Sequence, residues 1–324
     1  MHVLIFGGTG FVGLNIAESL LAGGHQVTLF DRAPPPAAAL RAFAAHRERL
    51  RVVQGDVTDH AAVTAVIGTQ VDAAVLGAAI TAGPARDAAD PGSILQVNLA
   101  AQVPILEAAR NAGVRRIINL SSAAAYGASG QRFAVLDEDT PCDPVALYPI
   151  TKFASERVVA RLADLWQMDI ISVRLSGVFG PWERAGGMRD TPSPQALIMA
   201  CCAERRPALL SDPGEKDWIY APDVAVAVQL LLEAERPRHR LYNISTGINY
   251  TAEEWGEAFA ASNPGFTCRL AAAGETPTVT VYGPTRAPLS IQRLEHEFGW
   301  RARFDCATSA DDLSRWLGEY GGVE

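Results

Sequence analysis

A phenol, an ammonium and a hydroxyl occur in an order that could carry acid–base chemistry. Tyr148-Pro149-Ile150-Thr151-Lys152 opens a helical pattern running to about Leu165, and the i to i+4 spacing puts Tyr148 and Lys152 on one face. At about 5 Å and an effective dielectric of about 20, an ammonium attracts a phenolate by roughly 3 kcal/mol, taking about two pH units off a phenol that titrates near 10. A second cation bound nearby would make Tyr148 a general base near neutrality. Ser121-Ser122 follows the apolar run Arg116 to Leu120, so one hydroxyl could hydrogen-bond the reacting oxygen. Tyr/Lys pairs at this spacing also decorate helix surfaces, but composition singles out this lysine. Of 28 basic residues only Lys152 and Lys216 are Lys, against 26 Arg.

A second constellation could hold a dinucleotide. Gly7-Gly8-Thr9-Gly10-Phe11-Val12-Gly13 follows a strand-like run and opens a helical one (Phe11 to Leu21), so backbone N–H groups and a helix N-terminus converge where a pyrophosphate would sit. Asp31 ends the second strand, at the distance where a carboxylate meets the adenosine ribose hydroxyls and repels a 2′-phosphate. NAD is therefore expected over NADP, with Arg32 as the opposing signal, because a guanidinium can hold that phosphate. Asp56-Val57, after the third strand, could flank the adenine, or could simply form a turn.

These residues need a frame that brings strand ends together. Short β-like runs at His2 to Phe6, Gln26 to Phe30, Leu50 to Gln54, Ala73 to Leu76, Arg116 to Leu120 and Asp169 to Leu175 alternate with Ala/Leu-rich helical segments. That alternation predicts βαβ units and a doubly wound parallel sheet of the α/β class. From Phe179 onward a Gly/Pro-rich loop, helices near Gln195 to Glu204 and Asp223 to Glu235, and a strand near Leu241 to Ser245 predict a smaller lobe toward the C-terminus. The 324 residues, 48% hydrophobic, suffice for a full core, and a formal charge of −8 opposes binding to nucleic acid. The most apolar stretch, Val71 to Gly83, is interrupted by Asp72 and is too short to span a bilayer. Five Cys show no metal-ligand spacing with the six His, so no metal is expected, and a start without an export signal predicts a cytoplasmic protein.

Together, Gly7xxGly10xxGly13, Asp31, Asp56-Val57, Ser121-Ser122-Ala-Ala-Ala-Tyr126-Gly127, Tyr148xxxLys152 and Arg174-Leu-Ser-Gly-Val-Phe-Gly-Pro181 resemble the extended short-chain dehydrogenase/reductase superfamily, in its NAD-dependent epimerase/dehydratase group. The resemblance extends to Phe298-Gly299-Trp300. It implies a Rossmann domain, residues 1–178 with about 217–247, interleaved with a substrate lobe, about 179–216 and 248–324. It further implies Ser122 and Tyr148 at the reacting hydroxyl, Lys152 on the nicotinamide ribose, cofactor contacts from Leu76 and Ala78, and Asn98 on a helix lining the site. A homodimer built from helices near Val97 to Ala112 and Tyr148 to Leu165 is also implied.

Departures from the group's pattern narrow the chemistry. Its sugar-nucleotide dehydratases carry an Asp-Glu pair where this chain has Ala123 and Ala124. Gly177 stands where epimerases have Asn, and the downstream Arg that would grip a nucleotide's phosphates is absent near Val279 to Val281, which leaves open whether Arg286 substitutes for it. The expected activity is NAD-dependent removal of hydride from a secondary alcohol of a small sugar-like or hydroxy-acid substrate. The alternatives are a nucleotide-sugar epimerase and a non-catalytic NAD-binding regulator. Arg189, on the loop after Pro181, and Lys216 are expected to meet the substrate.

Overall fold

The structure, a computed structural model, describes residues 1–184 and 190–320. Arg189 lies outside the described residues. Eleven strands are described: β1 (His2–Phe6), β2 (Gln26–Asp31), β3 (Leu50–Gln54), β4 (Ala73–Leu76), β5 (Arg116–Ser122), β6 (Asp169–Leu175), β7 (Gly177–Phe179), β8 (Ala208–Leu210), β9 (Trp218–Tyr220), β10 (Leu241–Ile244) and β11 (Cys268–Leu270). Seven of them form one parallel sheet in the order β3-β2-β1-β4-β5-β6-β10. The order reverses between β1 and β4, and the crevice at their carboxyl ends is where open α/β sheets bind ligands.

Both faces of the sheet are covered at its centre, which is why β1 and β4 are almost wholly apolar and buried, whereas edge strand β3 is largely exposed. In β1, Val3 and Ile5 pack on one side with Leu14 and Leu20 of the Phe11–Ala22 helix and Val224 and Leu231 of the Ala221–Glu233 helix. Leu4 and Phe6 pack on the other side with Leu106 of the Gln102–Ala112 helix and Val159 of the Leu147–Trp166 helix. A third core, around Phe179, Trp218, Tyr220, Trp255 and Phe259, organises the smaller lobe and its two-stranded pairs β7-β9 and β8-β11.

Two strands run further than their apolar patterns. β2 includes Asp31 and β5 includes Ser122, which pairs with Leu175 of β6, so both polar residues are held by the ladder itself. The helix expected from Val97 is a π-turn over Gln96–Ala100 before the α-helix Gln102–Ala112. Ala101 N bonds five residues back to Gln96, and Pro104, having no N–H, cannot donate to the Ala100 carbonyl.

Candidate active site

Two adjoining cavities line the carboxyl edge of the sheet. One, about 420 Å³, is bounded by Thr9, Asp31, Arg32, Asp56, Val57 and Ala78, among others. The other, about 170 Å³, is bounded by Phe11, Val12, Gly13, Ser122, Tyr148 and Lys152, among others. Gly7, Gly10, Gly77 and Ala79 line both, so they form one groove. Most of the cofactor and catalytic residues expected from the sequence therefore come together from six separate segments. Leu76 is the buried last residue of β4, directly before Gly77.

The glycine turn is built for close approach. Gly7 has φ +75°, and a Cβ there would lie 2.6 Å from the Ala78 nitrogen; a Cβ on Gly13 would lie 2.3 Å from the Gly7 carbonyl oxygen. A Cβ on Gly10 would meet only that carbonyl, at 3.1 Å, and would otherwise project into the groove. Gly10 caps the Phe11–Ala22 helix without any side-chain hydrogen bond, leaving the first N–H groups available to an anion. This cradle fits a dinucleotide pyrophosphate. Asp31 accepts hydrogen bonds from Thr9 N (3.2 Å) and Arg32 N (2.7 Å), which fix its carboxylate at the groove. The Arg32 side chain is largely exposed and reaches toward Asp56, Nη1 to Oδ2 at 4.0 Å. Arg184, which the sequence did not single out for the cofactor, lines the same end.

At the catalytic end, Lys152 is buried and its Nζ donates to the Leu120 carbonyl at 2.7 Å. Burial lowers its pKa to about 8, with Glu156 opposing the shift. Its Nζ lies 5.9 Å from the centre of the Tyr148 ring, at the outer edge of cation–π range. The two serines divide their tasks. Ser121 is buried and donates to Glu156, whose carboxylate also holds Arg174 through two nitrogens at 2.9 and 2.7 Å. Ser122 caps the turn Ala123–Tyr126, its Oγ accepting from Ala124 N at 3.1 Å, and faces the groove. Asn98 does not line either cavity. Its buried amide bonds Ile80 N at 2.7 Å, the Ile80 carbonyl at 3.0 Å and Thr151 Oγ1 at 3.1 Å, tying the loop after β4 to the residue before Lys152.

Lys216 lies outside the residues lining the groove. Its Nζ donates to the Tyr282 carbonyl at 3.1 Å and sits 5.0 Å from the centre of the Trp218 ring. Next to it, Asp217 is fully buried and accepts from Ser245 Oγ, Thr246 Oγ1 (2.8 Å) and Leu289 N (2.9 Å). Burial raises its pKa against those hydrogen bonds and the charge of Arg286.

The match to known proteins agrees with this geometry. The family model described as the NAD dependent epimerase/dehydratase family matches residues 3–245. The chain belongs to the NAD dependent epimerase/dehydratase family. As a member it is an NAD-dependent enzyme of the extended short-chain dehydrogenase/reductase type. It is 26% identical over 270 residues to a UDP-glucose 4-epimerase of Mycolicibacterium smegmatis, covering 81% of this chain and 82% of that one. It is 34% identical over 172 residues to a D-erythronate dehydrogenase of Cupriavidus necator, covering 49% and 50%. Among solved structures, the Bordetella bronchiseptica enzyme WbmG in complex with NAD superposes with a TM-score of 0.76 at 25% identity, over 99% of this chain and 95% of that one. Among the described residues no helix is long and apolar enough to cross a membrane, and no cluster of three or more His, Cys, Asp or Glu could hold a metal.

Proposed function

We propose that this family member oxidises a secondary alcohol of a small sugar-like or hydroxy-acid substrate, with Tyr148 as general base. The observation that carries the reading is the convergence of Tyr148, Ser122 and a buried Lys152 on the groove that begins at the glycine turn. NAD, when bound, supplies the hydride acceptor. Gly7, Gly10 and Gly13 admit its pyrophosphate, and Asp31 favours a free ribose hydroxyl over a 2′-phosphate. Ser122 Oγ hydrogen-bonds the reacting oxygen and orients it. Tyr148 Oη takes the hydroxyl proton, and the Lys152 ammonium, fixed on the Leu120 carbonyl, favours the phenolate that does so. Asn98 acts through Thr151 as a positioning residue for this helix turn.

Dehydration is disfavoured because Ala123 and Ala124, in the turn after Ser122, carry no group that can protonate a leaving hydroxide. Epimerisation of a nucleotide sugar remains the second reading, favoured by the name of the M. smegmatis relative and its cover of four-fifths of this chain. A dehydrogenase is preferred because the expected diphosphate contacts are altered at Gly177 and near Val279 to Val281. We propose further that residues about 179–216 and 248–324 form the substrate lobe and that two copies pair through the helices near 97–112 and 148–165. A panel of polyols, aldonic acids and nucleotide sugars, read by NADH absorbance beside a mass-neutral epimerisation assay, tests the activity. NADH accumulation supports the reading, and interconversion of sugars without NADH release overturns it.

A further inference from the structure

One edge of a half-buried guanidinium is left without a partner: Arg286 lines neither cavity of the groove, but its charge acts on Tyr148. The guanidinium nitrogens Nε and Nη2 of Arg286 are sealed from solvent with no hydrogen-bond acceptor. The ionisable groups that act on this side chain are Asp217, Tyr126 and Tyr148. Asp217 does not bond it; its oxygens are taken by Ser245, Thr246 and Leu289. The backbone around Arg286 is fixed: Asn249 Nδ2 donates to its carbonyl at 2.9 Å, and Ala287 N donates to Gly130 O at 2.8 Å. A Cβ on Gly130 would come within 3.0 Å of Arg286 Cβ, so the turn after Tyr126 admits this side chain closely. Asn249 Oδ1 is likewise buried without a donor. Sealed donors without acceptors are costly to keep, and the fold spends the neighbouring carboxylate elsewhere.

We propose that Arg286 anchors the carboxylate of the substrate, making the oxidised compound a short-chain hydroxy acid. Nε and Nη2 form the side-on edge of the guanidinium, two parallel donors that match one carboxylate. A diphosphate carries more charge than this single fork offers, and in a nucleotide sugar a whole ring separates it from the oxidised carbon. A 2- or 3-hydroxy acid keeps its carboxylate within a few bonds of the carbinol at Tyr148. Asn249 Oδ1 offers an acceptor to a further hydroxyl of the same molecule. This inference rests on the dehydrogenase reading above.

The test uses the full chain and the variants Arg286→Gln and Arg286→Lys, assayed for NADH formation with three- to six-carbon aldonic acids and with the corresponding uncharged alditols. The wild type should prefer an acid over its alditol by about a hundredfold, and Arg286→Gln should lose about that factor in kcat/KM, chiefly through KM, with Arg286→Lys between. NAD affinity should hold, and the thermal midpoint of Arg286→Gln should stay level or rise, since a merely structural arginine would lower it. Malonate, a non-oxidisable dicarboxylate, should bind the NAD-loaded wild type by calorimetry and fail to bind Arg286→Gln. Oxidation of alditols as fast as acids would overturn the inference while leaving the dehydrogenase reading standing. Interconversion of UDP-glucose and UDP-galactose without NADH release would overturn that reading itself. Absence of malonate binding to the wild type would overturn the anchor even if no panel member turned over.

Discussion

The two ends of the groove are finished to different degrees. Around Lys152 most polar side chains are consumed by the fold: Asn98 uses both ends of its amide, Lys152 rests on Leu120, and Ser121 closes onto the Glu156–Arg174 pair, with Asp87 Oδ1 and Gln102 Oε1 as buried exceptions. Toward the smaller lobe, buried polar atoms are left over, at Arg286 and Asn249 and at Gln195, whose Oε1 and Nε2 both lack partners. A site that receives a constant cofactor can be completed by backbone. A site that must recognise a particular substrate keeps its hydrogen bonds in reserve.

The largest effect that separates the two ends is steric. Gly13→Ala drives a methyl into the Gly7 carbonyl, so the turn must open. Calorimetric titration should show NAD binding reduced at least a hundredfold, with a stability loss of about 1–3 kcal/mol by thermal melting. Unchanged NAD affinity would mean that the cofactor does not depend on this close approach.

A smaller effect follows from the lysine. With its pKa lowered by burial to about 8, Lys152 is an ammonium below that pH and neutral above it. Its support for the Tyr148 phenolate is therefore lost as pH rises, and kcat/KM should fall along an alkaline limb centred near pH 8. A profile flat to well above that value would detach Lys152 from the chemistry.

Asp31→Ala removes the carboxylate that discriminates against a 2′-phosphate. The ratio of NAD to NADP affinity should narrow about tenfold, or about 1.4 kcal/mol, in parallel titrations of the two cofactors. Equal affinities in the wild type would show that Arg32 or Arg184 outweighs Asp31.

The smallest change is expected at Lys216. Its ammonium serves the Tyr282 carbonyl and the Trp218 face outside the groove, so Lys216→Arg should alter steady-state kinetics by less than about twofold. A tenfold rise in KM would return this residue to the substrate, where its rarity in an Arg-rich chain first placed it.

The same contrast governs what could be read without coordinates. The cofactor end is legible because one short segment carries it: glycine spacing, a strand and a helix fix Gly7 to Gly13, and an acid at the end of the next strand fixes Asp31. The Tyr148–Lys152 pair is legible because helix periodicity alone brings its members to one face. Asn98 shows the limit, since the family resemblance put it on a helix lining the site whereas a π-turn holds its amide on Ile80 and Thr151. Arg286 was visible only as a residue near a missing one. Its importance depends on Gly130, Asn249 and Asp217, which reach it from distant segments and leave no spacing to detect.

The central claim is that Tyr148 moves the proton. On the substrate that yields NADH, Tyr148→Phe should lower the single-turnover rate about 10³-fold while NAD affinity, by direct titration, stays within about threefold. Substantial NADH formation by Tyr148→Phe would place the base elsewhere and contradict the account.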